Sequence, residues 1–131
     1  RAGAFATAGD EGCPPFRLDI SFEGAHHHGI AARRLMSDLA ASLPAFAPLV
    51  LVLKQFLSER HLDKPYLGGM SSYGLGLLVA RFLQDCRQSP DAAQELGSGR
   101  GGGPNLGALL VRCLDFYGHK FSARTMGVSV L

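Results

Sequence analysis

The stretch Gly68-Gly69-Met70-Ser71-Ser72-Tyr73 constrains this chain more than any other. A glycine pair reaches backbone shapes that a Cβ blocks, so the chain can turn tightly there. Two serines stand where a helix would begin, and either Ser71 or Ser72 can accept hydrogen bonds from the free N–H groups of its first turn. Leu75, Leu78, Val79, Phe82, Leu83 and Cys86 follow at i, i+3, i+4, i+7 spacing. This predicts a helix from near Ser71 to Arg87 with one buried stripe. A Gly-rich turn at the positive end of a helix also suits an anion such as a phosphate. Tyr73 adds a flat ring beside it, although by residue type alone it reads first as a core packer.

The same periodicity predicts three more helices. One runs from Gly29 to about Ser42, burying Ile30, Leu35, Met36 and Leu39, with Arg33 and Arg34 on its solvent side and Pro44 ending it. A second runs from Ala45 to about Arg60 on the stripe Phe46, Leu49, Val50, Leu53, Phe56 and Leu57. The last starts near Asn105 on Leu106, Leu109, Leu110, Cys113, Leu114 and Tyr117, with Gly118 as its stop. Phe16, Leu18, Ile20 and Phe22 alternate with Arg17, Asp19 and Ser21, so residues 16–23 read as a strand with one buried face and Asp19 on the other. Residues 1–15 lack a period and read as loop. Residues 88–104, with Gly97, Gly99, Gly101, Gly102 and Gly103, read as a flexible insertion too poor in apolar residues to pack. Gly127 to Leu131 is β-branched and predicts a short strand. The expected fold is therefore mainly α: a four-helix domain over residues 24–131 with a strand at its start.

Composition sets limits. With 47% hydrophobic and 18% charged residues the chain has the makeup of a folded domain rather than a disordered one. Its apolar run from Leu49 to Leu53 stops at Lys54 and Gln55, far short of the ~20 residues that span a bilayer. A net charge of +2 permits nucleic-acid binding without arguing for it. The three cysteines, Cys13, Cys86 and Cys113, lack the spacing of a disulfide framework or a zinc site; the last two fall on apolar stripes and read as core thiols. His26-His27-His28 reads as a solvated turn, or as a weak metal-binding tract.

Four residues have chemistry suited to a nucleotide cleft. Asp19 on a rigid strand can hold a metal ion, or is simply a solvated strand residue. Lys54 sits at the border of its helix stripe, where its ammonium either reaches a triphosphate or stays in solvent. Ser72 and Tyr73 stand at the helix mouth. Gly-Gly-x-Ser-Ser-Tyr, fifteen residues or so after Leu51-Val52-Leu53-Lys54-Gln55-Phe56-Leu57, resembles the central domain of the non-canonical poly(A) polymerases of the Trf4 type, within the DNA polymerase β-like nucleotidyltransferases. Leu18-Asp19-Ile20-Ser21-Phe22 upstream, and Asn105-Leu106-Gly107-Ala108-Leu109-Leu110 with Phe116-Tyr117-Gly118 downstream, agree in order, so the resemblance covers residues 16–131.

The resemblance implies an RNA 3′-end nucleotidyltransferase that adds AMP from ATP, in polyadenylation for RNA processing or surveillance. It implies Asp19 as the third catalytic carboxylate, binding Mg²⁺ (or Mn²⁺) and activating the RNA 3′-hydroxyl. It implies Lys54 and Ser72 on the triphosphate, Gly69 in the nucleotide-binding turn, and Tyr73 stacked on the incoming base. ATP and an RNA 3′ end are the implied substrates, with no membrane. A zinc-knuckle RNA-binding protein and an RNA helicase are the implied partners, in the nucleus or nucleolus.

The sequence also departs from the family's pattern. It lacks the Gly-Ser block and the paired Asp-x-Asp. Because Arg1 is not an initiator methionine, these are expected before it in a longer parent, and the fragment alone is expected to be inactive. His28 stands where relatives often carry Asn before Gly. Terminal uridylyl transfer is an alternative; Leu-Lys-Gln-Phe-Leu, with Ser58 in place of a second lysine, leans to the adenylating branch. A non-catalytic helical scaffold binding RNA or protein is the reading from another class.

Overall fold

The apolar stripes close on one another in a computed structural model that describes Ile20 and residues 28–130. The long helices are α1 (Gly29–Ser42), α2 (Phe46–Glu59), α3 (Ser72–Gln88) and α5 (Leu106–Asp115), with a single turn, α4 (Pro90–Ala93), between the last two. α3 is the central element. It buries Leu75, Val79, Ala80, Phe82, Leu83 and Cys86, a broad face that meets α1, α2 and α4. The side chains of Leu49 from α2, Val79 and Leu83 from α3 and Leu109 from α5 lose essentially all contact with solvent. Burying each leucine contributes roughly 1.5–3 kcal/mol. Arg87 ties the end of α3 to the end of α1 by donating to the Ser42 carbonyl at 2.6 Å.

α1 and α2 meet at 119° across Leu43-Pro44-Ala45. Among the described residues no single helix is long and apolar enough to cross a membrane, and this bent pair reaches that length only together. α1 enters the core from Leu35 onward. Ile30, expected to be buried, lies in the first turn before the helix meets its neighbours and is exposed.

Several expectations need correction. Residues 88–104 are not a loose insertion throughout. Pro90 starts α4, Ala92 is buried against α3, and a 3-10 turn over Gln94–Leu96 brings Leu96 onto the core. Ala92 needs little room and Leu96 supplies the rest, so few apolar residues suffice. The Asn105 N–H then donates to the Glu95 carbonyl at 2.8 Å, and Arg112 pairs with the Glu95 carboxylate at 3.1 Å. Only residues 97–104 follow the glycine-rich expectation, in a turn closed by Gly99 N–H on the Gly103 carbonyl.

Gly118 does not stop the last helix. α5 runs on into a π-helical turn, Phe116–Lys120, ended by the Phe121 N–H on the Phe116 carbonyl at 2.9 Å. This wide turn gathers aromatic rings: Phe116 meets Tyr117 edge-on at 5.0 Å, and Tyr117 meets Phe121 at 5.2 Å. Residues 127–130 form no strand among the described residues; Val130 packs on the core without a ladder partner. The strand expected at residues 16–23 lies outside the described residues except for Ile20, which is exposed.

Candidate functional site

The glycine pair does what its sequence suggests, with the work divided. Gly68 takes φ 83°, the left-handed region. Gly69 runs against backbone: a Cβ there would sit 2.7 Å from the Leu62 carbonyl carbon and 2.8 Å from the Lys64 nitrogen. The Gly69 N–H donates to the Lys64 carbonyl at 2.9 Å, and the Met70 N–H to the Leu62 carbonyl at 2.7 Å. Residues 62–70 are thus folded back on themselves, and α3 starts from a fixed point. Gly69 itself does not line the cleft described next; it shapes the approach to it.

Ser71 is the cap of α3. Its Oγ accepts from the Gly74 N–H at 3.0 Å. The Ser72 hydroxyl is left over for something else. Among the described residues neither the Ser72 nor the Tyr73 N–H has an acceptor, so the positive end of α3 keeps two open donors.

Lys54 faces this helix end. It follows the buried Leu53 on α2 and is itself exposed, a border position from which the ammonium can reach out while the stem packs. Lys54, Gln55 and Ser58 of α2 share a cleft of about 420 Å³ with Ser71, Ser72 and Asp63. The cleft therefore offers a cation, hydroxyls and helix N–H groups, with one carboxylate at its edge.

Tyr73 lines a neighbouring concavity of about 430 Å³ with His28, Gly29, Ala31, Ala32 and Leu35 of the α1 entry. The ring is 44% exposed, not sunk among aliphatic side chains. The small residues opposite leave room for a flat group against it. Ser72 and Tyr73 are consecutive, so the two concavities meet at the first turn of α3.

The structure thus brings Lys54 and Ser72 to one cleft, sets Tyr73 next to it, and puts Gly69 behind both. Asp19 lies outside the described residues. Asp63 and Gln55 line the cleft without having been singled out by sequence; nothing in the period of α2 or in the Pro65 turn marks them. Among the described residues no three His, Cys, Asp or Glu side chains converge to hold a metal ion. Taken alone, these residues do not fit a magnesium site.

No protein-family model and no solved structure matches the chain. Curated relatives do. The chain is 38% identical over 112 residues to poly(A) RNA polymerase gld-4 of Caenorhabditis elegans. It is 38% identical over 116 residues to the inactive non-canonical poly(A) RNA polymerase protein Trf4-2 of Drosophila melanogaster, and 34% identical over 114 residues to poly(A) RNA polymerase cid14 of Schizosaccharomyces pombe. These matches take in 86%, 88% and 86% of this chain but only 12%, 26% and 15% of the relatives. The chain thus spans about a quarter or less of their length. Over nearly its whole length, then, this mainly helical chain is homologous to a segment of the Trf4-type poly(A) RNA polymerases.

Proposed function

We propose that this chain is the helical central segment of an RNA 3′-end nucleotidyltransferase that adds AMP from ATP, and that it supplies the nucleotide-facing wall of the reaction centre. The observation that carries the reading is Lys54 and Ser72 on one cleft at the open N-terminus of α3. Transfer of a nucleotidyl group needs little covalent help from protein; it needs charge neutralisation and positioning. A lysine point charge, a free hydroxyl and two unused N–H groups offer both to a triphosphate. Tyr73 offers its face to the base, a contact worth ~1–3 kcal/mol and tolerant of base identity. Asp19 takes the role of metal-holding carboxylate for Mg²⁺ on the family resemblance. RNA surveillance in the nucleus, with a zinc-knuckle RNA-binding protein and an RNA helicase as partners, belongs to the same reading.

The 131 residues contain no Asp-x-Asp pair, so they are expected to bind nucleotide without completing the reaction. Titration with a fluorescent ATP analogue should give saturable binding that Lys54→Ala and Ser72→Ala weaken. Competition by UTP in the same titration ranks the uridylyl alternative. Incubation with RNA, ATP and Mg²⁺ should give no tail; robust tailing by these residues alone would overturn the division of labour proposed. A non-catalytic scaffold is the second reading, favoured by the 38% identity to a relative named inactive. It predicts no saturable nucleotide binding.

A further inference from the structure

The geometry points to Tyr66 as a stacking contact for single-stranded RNA, held at the rim of the Lys54–Ser72 cleft by the folded-back loop 62–70. The inference rests on reading that cleft as a nucleotide site, and names where the other substrate touches this chain.

Tyr66 is 99% exposed and Leu67 beside it 78%. A floppy loop could carry such residues idly, but this loop is tied. Pro65 fixes one backbone angle of a 3-10 turn over Pro65–Leu67. The Leu67 and Gly69 N–H groups both donate to the Lys64 carbonyl, at 3.0 and 2.9 Å, and Gly68 N–H donates to the Pro65 carbonyl at 3.1 Å. The backbone of Tyr66 is therefore held in place, so stacking on its ring orders one side chain rather than a whole loop and loses less entropy.

Charge selects the partner. Lys54, Arg60 and Lys64 lie on this stretch with His61, against Glu59 and Asp63. Glu59 already accepts from Gln55 at 3.0 Å. Arg60 is parked over the Phe56 ring at 4.0 Å, which fixes its position and leaves its charge available. None of the three cations forms an ion pair among the described residues. An exposed aromatic ring close in sequence to cations without ion pairs is a combination that suits single strands, by base stacking and phosphate contact together. The site is continuous with the cleft, because Asp63 and Met70, from the two ends of the same loop, line it. A strand lying on Tyr66 would therefore rest on the loop whose two ends line the place assigned to the nucleotide.

The chain has no tryptophan, so Tyr66→Trp gives a single reporter. Adding single-stranded oligoadenylate to that variant should quench its emission. In anisotropy titrations of the otherwise unaltered 131-residue chain, Tyr66→Ala should weaken oligoadenylate binding by at least about fivefold. Tyr66→Phe should restore it, and Lys64→Ala should lower its salt dependence. Unchanged affinity in Tyr66→Ala, no quenching, or no RNA binding at all overturns the inference. Self-association abolished by Tyr66→Ala, without quenching by RNA, overturns it in favour of a protein contact. ATP titration of the same variants keeps the two readings apart: Tyr66→Ala should leave ATP binding intact, and failure of Lys54→Ala to reduce it counts against the cleft rather than against Tyr66.

Discussion

Tyr117 donates its phenolic proton to the main-chain carbonyl of Leu78 at 2.8 Å, joining the end of α5 to the middle of α3 across 39 residues of sequence. Tyr117→Phe keeps the ring and its edge-on neighbours and deletes only this bond. The loss should be about 0.5–1.5 kcal/mol. Denaturant titration of the two proteins checks it, and equal midpoints would show that the bond contributes nothing.

Alkaline pH should loosen the fold at the same place. Burial pushes the Cys113 thiol up to about 12 from an ordinary 9.0, with Cys86 nearby adding to it. Burial likewise raises the Tyr117 phenol. Both groups keep their protons longer folded than unfolded, so their contribution is intact below the unfolded values and is lost as pH climbs. Thermal unfolding should therefore be flat near neutrality and fall from pH 9.0 toward about 12. The slope for the thiol is at most about 1.4 kcal/mol per pH unit. Cys113→Ala should flatten part of that fall; an unaltered profile would assign the loss elsewhere.

The two glycines of the turn should fail differently. Gly68→Ala meets open space but a left-handed backbone, at a cost of about 1–2 kcal/mol. Gly69→Ala meets the backbone of Leu62 and Lys64, which cannot step aside without opening the loop, at about 1–3 kcal/mol. Only the second should also weaken ATP binding, because moving Met70 moves Ser71 and Ser72. Parallel melting and nucleotide titrations separate the two costs.

The neighbouring serines should part company as well. Ser71→Ala removes the cap of α3 and should lower stability by about 1 kcal/mol. Ser72→Ala removes a hydroxyl that caps nothing, so stability should hold within about 0.5 kcal/mol while nucleotide affinity drops. The reverse pattern would exchange their roles.

How far sequence reached can be judged from particular residues. Helix periodicity located α1, α2 and α3 because each buries a regular face, and it put Lys54 on the border where the structure finds it. It left Ser71 and Ser72 undecided, since both can cap and only the Gly74 N–H direction chooses. It missed α4, because Ala92 carries no hydrophobic signature and is buried only by what α3 places over it. It stopped the last helix at Gly118, because a glycine after an apolar stripe reads as a left-handed stop, whereas Gly118 stays out of the left-handed region inside the turn. Asp63 was invisible for a similar reason: its place in the cleft comes from the loop closing back through Gly69, a long-range event. Tyr73 keeps an open ring beside α1, an exposure that no apolar stripe marks.

The wide turn at Phe116–Lys120 amounts to one surplus residue in an otherwise regular helix. Each residue of an α-helix rotates the chain by about 100°, so shedding that surplus would swing Phe121 away from Tyr117 by roughly that angle. Everything downstream takes its heading from this one extra unit. A lineage that gained or dropped a single codon here would re-aim its tail and lift Val130 from the core on which it packs.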